Sequence, residues 1–207
     1  MPGMDDAFTL LSRATGLLPR GARSGIGATV EEVRDFERRQ EWEFVLELLL
    51  DFGNGPPVPG AYWSLLETAA RQLMLERTAR WCAWREGETR HGVFRAELTL
   101  LPAGEGRRVT AFQGDGWLRP VWDIGLRTAG GEPEMFVAVV WVEGAATLGP
   151  GESAPVRLAP LSPGRWRHLV PGAVLTLHEG RPVGGTATVL EVAPPAVIPV
   201  RSARPSG

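Results

Sequence analysis

Residues 86–101 read Glu86-Gly87-Glu88-Thr89-Arg90-His91-Gly92-Val93-Phe94-Arg95-Ala96-Glu97-Leu98-Thr99-Leu100-Leu101, and the repeat of apolar residues changes within them. After Gly92, Phe94, Ala96, Leu98 and Leu100 alternate with Arg95, Glu97 and Thr99, the period of two that a half-buried strand produces. Before Glu86 the apolar residues recur at spacings of three and four, as along a helix. The chain is therefore expected to be of the α+β class, with a helical domain over 5–86 followed by a β domain over 92–193.

Downstream of the switch, Met135–Val142 is a nearly continuous apolar run. Ala173, Leu175 and Leu177 alternate with Val174, Thr176 and His178, and Val183–Val192 is rich in Val and Thr. Gly and Pro recur between these runs, as Gly130-Gly131, Pro150-Gly151, Pro163-Gly164, Pro171-Gly172 and Gly184-Gly185, which is the punctuation of turns. Five or six short strands in about 100 residues are enough to close a small antiparallel barrel, which removes open sheet edges. Residues 194–207 hold Pro194, Pro195, Pro199 and Pro205 with little apolar material, and read as a flexible tail.

Upstream, Phe8, Leu11 and the pair Leu17-Leu18 predict a short helix ended by Pro19 and the Gly/Arg-rich loop 21–27. Thr29 followed by Glu32 fits a capping box and predicts a helix over 30–39, with Val30, Val33 and Phe36 on its apolar side. In the segment 41–52, Trp42, Val45, Leu48, Leu49 and Phe52 form a stripe that Phe44, Leu46 and Leu50 widen, leaving Glu43, Glu47 and Asp51 as its polar residues. Asn54-Gly55-Pro56-Pro57 stops this helix. A third long helix is expected from about Gly60 to Trp84, with Trp63, Leu66, Ala70, Leu73, Met74 and Trp81 on one side. A compact bundle of three or four helices follows.

The 207 residues are 43% hydrophobic and 22% charged, the composition of an ordinary globular chain. All 22 basic residues are Arg, the formal net charge is −2, and the acids outnumber Arg in the first ninety residues. That balance excludes wholesale coating of nucleic acid. The single cysteine, Cys82, can form neither an intrachain disulfide nor a cysteine-built zinc site. The opening residues have no basic region followed by a long apolar run, and no apolar run has the roughly 18 residues of a membrane helix. A cytoplasmic protein with no membrane contact is expected.

The chain holds no phosphate loop ending in Gly-Lys-Ser/Thr, no dinucleotide glycine pattern, no Gly-x-Ser-x-Gly and no His-Glu-x-x-His. His91, His168 and His178 stand apart from one another and from Cys82, so no metal or cofactor is expected. Cys82 beside His91 is the one candidate nucleophile, against the reading of Cys82 as a small buried hydrophobe between Trp81 and Trp84. Asp115, Asp123 and Glu143 are candidate catalytic carboxylates, against turn or surface roles. Two constellations bear on binding. Glu43, Glu47 and Asp51 form an acidic stripe, either a solvated helix face or a surface for a basic protein partner. Arg107, Arg108, Trp117, Arg119, Trp122, Arg127, Arg165, Trp166 and Arg167 interleave aromatic and basic residues. They form either an RNA-stacking surface or core Trp covered by Arg stems.

Residues 92–193 resemble the third domain of elongation factor Tu. Val93–Leu101 falls where that family has its opening strand, and Gly104-Glu105-Gly106-Arg107-Arg108 is similar to its Glu-Gly-Gly-Arg loop. Gly116-Trp117-Leu118-Arg119-Pro120 is similar to Gly-Tyr-Arg-Pro with one extra residue, and His178–Thr186 to Arg-Glu-Gly-Gly-Arg-Thr-Val-Gly-Ala-Gly. The resemblance implies a six-stranded antiparallel barrel and, at Arg107, Trp117 and Arg119, contacts to tRNA or protein; the GTPase domain is absent. Residues 5–78 resemble the MafI type of immunity protein from bacterial polymorphic-toxin systems. The resemblance rests on Glu41-Trp42-Glu43-Phe44-Val45-Leu46-Glu47 and on the Pro-containing loop 56–59 before an amphipathic helix. It implies neutralisation of a protein toxin by contact. The expectation is a non-enzymatic binding protein with Glu43, Glu47, Asp51, Arg107, Trp117 and Arg119 toward its partner. The favoured partner is a protein toxin, and the alternative is RNA or tRNA held by the barrel.

Overall fold

A computed structural model describes residues 5–55, 57–106, 108–180 and 182–196. Pro56, Arg107, Arg181 and most of the expected tail, from residue 197 on, lie outside the described residues. The chain divides into two compact units: His91–Pro194 is one, and the described residues up to Arg90, with Pro195 and Ala196, belong to the other.

The unit up to Arg90 contains five helices, α1 (Ala7–Leu17), α2 (Val30–Arg38), α3 (Trp42–Phe52), α4 (Gly60–Gln72) and α5 (Glu76–His91), the last residue of α5 opening the other unit. The Asp6 carboxylate caps α1 by accepting from the Thr9 N–H at 2.7 Å. At α2 the capping box is complete: Thr29 Oγ1 accepts from the Glu32 N–H, and Glu32 accepts from the Thr29 N–H at 2.6 Å. Leu11, Ala14, Val33, Val45, Leu49, Phe52, Tyr62, Trp63, Leu66 and Cys82 fill the core. The Tyr62 hydroxyl, inside this core, donates to the Leu49 carbonyl. Arg85 clamps the end of α3 from α5. Its guanidinium donates to the Gly53 carbonyl at 2.6 Å and to Asn54 Oδ1 at 2.8 Å, lies over the Trp63 ring, and pairs with Glu88 at 3.0 Å.

The single helix expected over 60–84 is two helices. Met74 adopts φ 60°, the Leu75 N–H returns to the Ala70 carbonyl at 2.8 Å, and the Met74 N–H to Arg71 at 3.1 Å. This left-handed closure ends α4 and lets α5 leave in a new direction. Met74, expected on the apolar side, is 80% exposed. The same closure ends α2, where Gln40 has φ 59° and the Glu41 N–H donates to Phe36. Periodicity alone misses the break because Met and Leu are good helix formers.

The second unit is a closed antiparallel barrel. Its six strands, β1 (Val93–Leu100), β3 (Val121–Arg127), β4 (Pro133–Val142), β6 (Ser153–Pro160), β7 (Val174–His178) and β8 (Val183–Ala193), run in the order β1-β6-β4-β3-β7-β8. Two short strands, β2 (Phe112–Gln113) and β5 (Thr147–Leu148), pair outside it. Phe94, Ala96, Leu98 and Leu100 point inward with Trp122, Val140, Val156, Leu158, Leu175, Leu177 and Ala187, so the alternation in β1 is the alternation between barrel interior and exterior. Gly185 lies where an added Cβ would meet the Thr99 carbonyl at 2.6 Å, which lets β8 close against β1.

Candidate partner-binding groove

Helix α3 buries Val45, Leu46, Leu49 and Phe52 in the core of its unit. Trp42, Phe44 and Leu50 of its broad apolar stripe, with an edge of Leu46, face a groove of about 770 Å³. Phe8 of α1, Trp42, Phe44, Leu46 and Leu50 of α3, and Leu73 and Leu75 at the α4–α5 corner give it apolar walls. Phe8 stacks on Trp42 at 4.7 Å between ring centroids, and Phe44 on Phe36 at 5.3 Å. Phe44 nevertheless stays 53% exposed, and Phe8 and Leu75 are exposed as well.

The charged residues lining the groove are Glu41, Glu43 and Glu47. Glu41 pairs with Arg39 at 3.4 Å, and Arg39 in turn lies over the Phe36 ring. Glu43 and Glu47 are exposed and have no ion-pair or hydrogen-bond partner among the described residues. Four apart on one helix, they repel each other by a few tenths of a kcal/mol that a cation would relieve. Gln40, with its left-handed backbone, also lines the groove, and left-handed Met74 lies between lining residues Leu73 and Leu75.

Asp51 has a different role from Glu43 and Glu47 and is not an outward-facing acid. It is half-buried, and its Oδ2 accepts from the Ile26 N–H at 2.9 Å. Burial acts to raise its carboxyl, but hydrogen bonds from the Ile26 and Gly25 N–H groups, Ser24 and Asn54 prevail and hold it below the usual carboxylate range. It thereby pins the Gly/Arg-rich loop to the end of α3. The sequence stripe thus separates into two groove acids and one loop anchor.

In the barrel, Trp122 and Trp166 are fully buried, and the Trp166 ring packs edge-on against Phe94 at 5.8 Å. Arg108 pairs with Glu179 and lies over Phe112, Arg127 pairs with Asp123 at 2.9 Å, and Arg165 pairs with Glu134. Much of the expected aromatic and basic surface is therefore core or internal ion pairs. Trp117, 66% exposed, and Arg119, also exposed, remain on the surface. They flank Leu118, which packs inward and accepts from the Val140 N–H at 3.0 Å, and this alternation turns both outward. Arg107 lies outside the described residues.

The candidate catalytic groups are each buried, paired or exposed. Cys82 is fully buried, and desolvation, with Glu67 nearby, pushes its thiol up to about 12; His91 is exposed at the last residue of α5. Glu143 lies between Arg95 at 2.7 Å and Arg157. Burial favours its neutral form, but the Arg95 hydrogen bonds and the Arg157 charge outweigh this and keep its carboxyl low. Asp123 is occupied by Arg127 and by the Gly125 N–H at 2.8 Å. Asp115 is buried at an isolated bridge to Trp141. Among the described residues no three His, Cys, Asp or Glu side chains are grouped as metal ligands, and no helix is long and apolar enough to cross a membrane.

No known family pattern matches this chain, and no curated protein matches it. The groove was not legible beforehand, because its wall at Leu73 and Leu75 exists only where the expected long helix breaks. The available signal was Phe44, an aromatic on the edge of a stripe already wide enough to fill a core.

Proposed function

We propose that this is a non-enzymatic bacterial immunity-type protein, acting in the cytoplasm, whose helical unit neutralises a protein toxin by direct contact. The observation that carries the reading is the groove: apolar walls and three acids, two of which, Glu43 and Glu47, have no ion-pair or hydrogen-bond partner among the described residues. A contiguous exposed apolar surface with a polar rim is the usual mark of a protein-binding site. The segment that resembles the immunity family, Glu41–Glu47, supplies six of the groove's lining residues, Glu41, Trp42, Glu43, Phe44, Leu46 and Glu47. The barrel, read as an elongation factor Tu domain-three type, offers a second contact surface.

The test is co-expression with the protein encoded beside its gene. Cells making that neighbour should survive only with this chain, and Glu43→Arg/Glu47→Arg should lose most of the protection. Survival independent of the chain would dismiss the immunity reading.

A second reading, RNA binding by the barrel, is favoured by the outward pair Trp117 and Arg119. Because Arg108 and Arg127 are already paired, at most two of the four expected arginines are left for phosphate. A slope of log affinity on log salt no steeper than about −1.4 is then expected for single strands. A steeper slope, abolished by Arg119→Ala, would make the barrel the working half.

A further inference from the structure

We infer that the groove on α3 receives an amphipathic helix of the protein partner, one whose apolar ridge is flanked by Arg or Lys. The inference rests on the reading of the helical unit as the protein-binding half and adds the chemistry of what is bound.

Charge gives the first reason. Every charged residue lining the groove is an acid, and Glu43 and Glu47 have no partner among the described residues. A basic flank would relieve their mutual repulsion, whereas an acidic flank would meet both as like charges. Backbone chemistry gives the second. The groove is walled by helices and the turns between them, and beyond the first turn of α3, whose N–H groups have no partner within the helix, the helical N–H and C=O groups are committed within each helix. It has no sheet edge to which an extended segment could pair, so such a segment would bury its own peptide groups without partners. A helix satisfies its own backbone and presents only side chains. Length gives the third. From Glu43 to Leu50 the α3 wall runs about 10 Å at ~1.5 Å per residue, the span of anchors at positions i, i+4 and i+7. Among the described residues no polar side chain lining the groove is fully buried, whereas a small-molecule site uses such a group to fix orientation. Its polar residues are exposed at Gln40, Glu43 and Glu47 and half-buried at Glu41 and Thr78.

The experiment uses the full chain and fluorescein-labelled peptides of about 18 residues, long enough for measurable helicity. They share one Leu/Ile ridge at i, i+4, i+7 and i+11, with Arg flanks in one and Glu flanks in the other, and a third is a scrambled Arg peptide. By fluorescence anisotropy the Arg-flanked helix should bind at least about tenfold more tightly than either control. Glu43→Arg/Glu47→Arg should erase that preference, Phe44→Ser should weaken binding several-fold, and the circular dichroism of both variants should stay as in the parent. Equal affinity for the Arg- and Glu-flanked peptides overturns the inference, whatever happens in toxin co-expression. A preference for the Arg helix without protection from any toxin supports the inference and overturns the immunity reading alone. Two further outcomes also overturn it: a dimer of this chain that the Arg peptide cannot displace, and peptide binding that emerges only once residues 197–207 are removed, which would make the chain's own terminus the occupant.

Discussion

Asp51, Glu143 and Cys82 show how little a residue type says about its role until its neighbours are known. In the sequence Asp51 continues the spacing of Glu43 and Glu47, yet only Asp51 is reached by the backbone of residues 25 and 26. Asp51→Ala should therefore cost about 1–2 kcal/mol through lost charge-assisted hydrogen bonds, and hydrogen exchange should show Ile26 losing protection. Glu47→Ala, at an exposed and unpaired position, should change the melting temperature negligibly. Glu143 separates two guanidinium groups that its removal would leave facing each other across the β1–β6 pair Arg95 and Arg157. Its folded carboxyl is held low, so its stabilisation is complete above the ordinary glutamate value of about 4.3 and is lost as pH falls through the lower folded value. Thermal melts should show the barrel weakening below about pH 4, and Glu143→Gln should flatten that dependence while lowering stability at neutral pH by about 1–2 kcal/mol. The Cys82 thiol, buried and shifted upward, should resist alkylation at pH 8 in the native protein and react only after unfolding. Rapid native labelling would contradict its place in the core.

At the scale of elements, helix ends decide more than helix middles. Thr29→Ala removes the hydroxyl half of the α2 capping box and should cost about 1 kcal/mol. Met74 holds a left-handed conformation while 80% exposed, so it bears backbone strain without the reward of burial. Met74→Gly keeps the turn and should stabilise the protein by about 0.5–1 kcal/mol, read as a rise in melting temperature. A loss of stability would mean that the Met side chain holds the α4–α5 corner in place. Strands behave differently, because a barrel strand has its inward and outward residues set by alternation along its whole length. That is why β1 was readable from Phe94, Ala96, Leu98 and Leu100 alone, whereas the α4–α5 break was not.

At the scale of the whole molecule, two cores of different kinds lie on either side of Arg90-His91. Residues 1–90 expressed alone should give a helical circular dichroism spectrum and residues 91–196 a β spectrum. Failure of both pieces to fold, with single-step unfolding of the full chain, would show that neither core is sufficient without the other. The sequence by itself determined the α+β class, the change of period before Val93, the capping box at Thr29 and the inward face of β1, because each is a local pattern of a few neighbouring residues read against one burial direction. Only the tertiary structure decided that the third long helix breaks at Met74, that Asp51 leaves the acidic stripe to hold a loop, that Trp122 and Trp166 belong to the core while Trp117 faces out, and that α1, α3 and the α4–α5 corner enclose a groove. Those outcomes depend on which distant segments pack together, and a left-handed turn, a carboxylate's hydrogen-bond donors and a groove's far wall all come from residues that the local pattern does not contain.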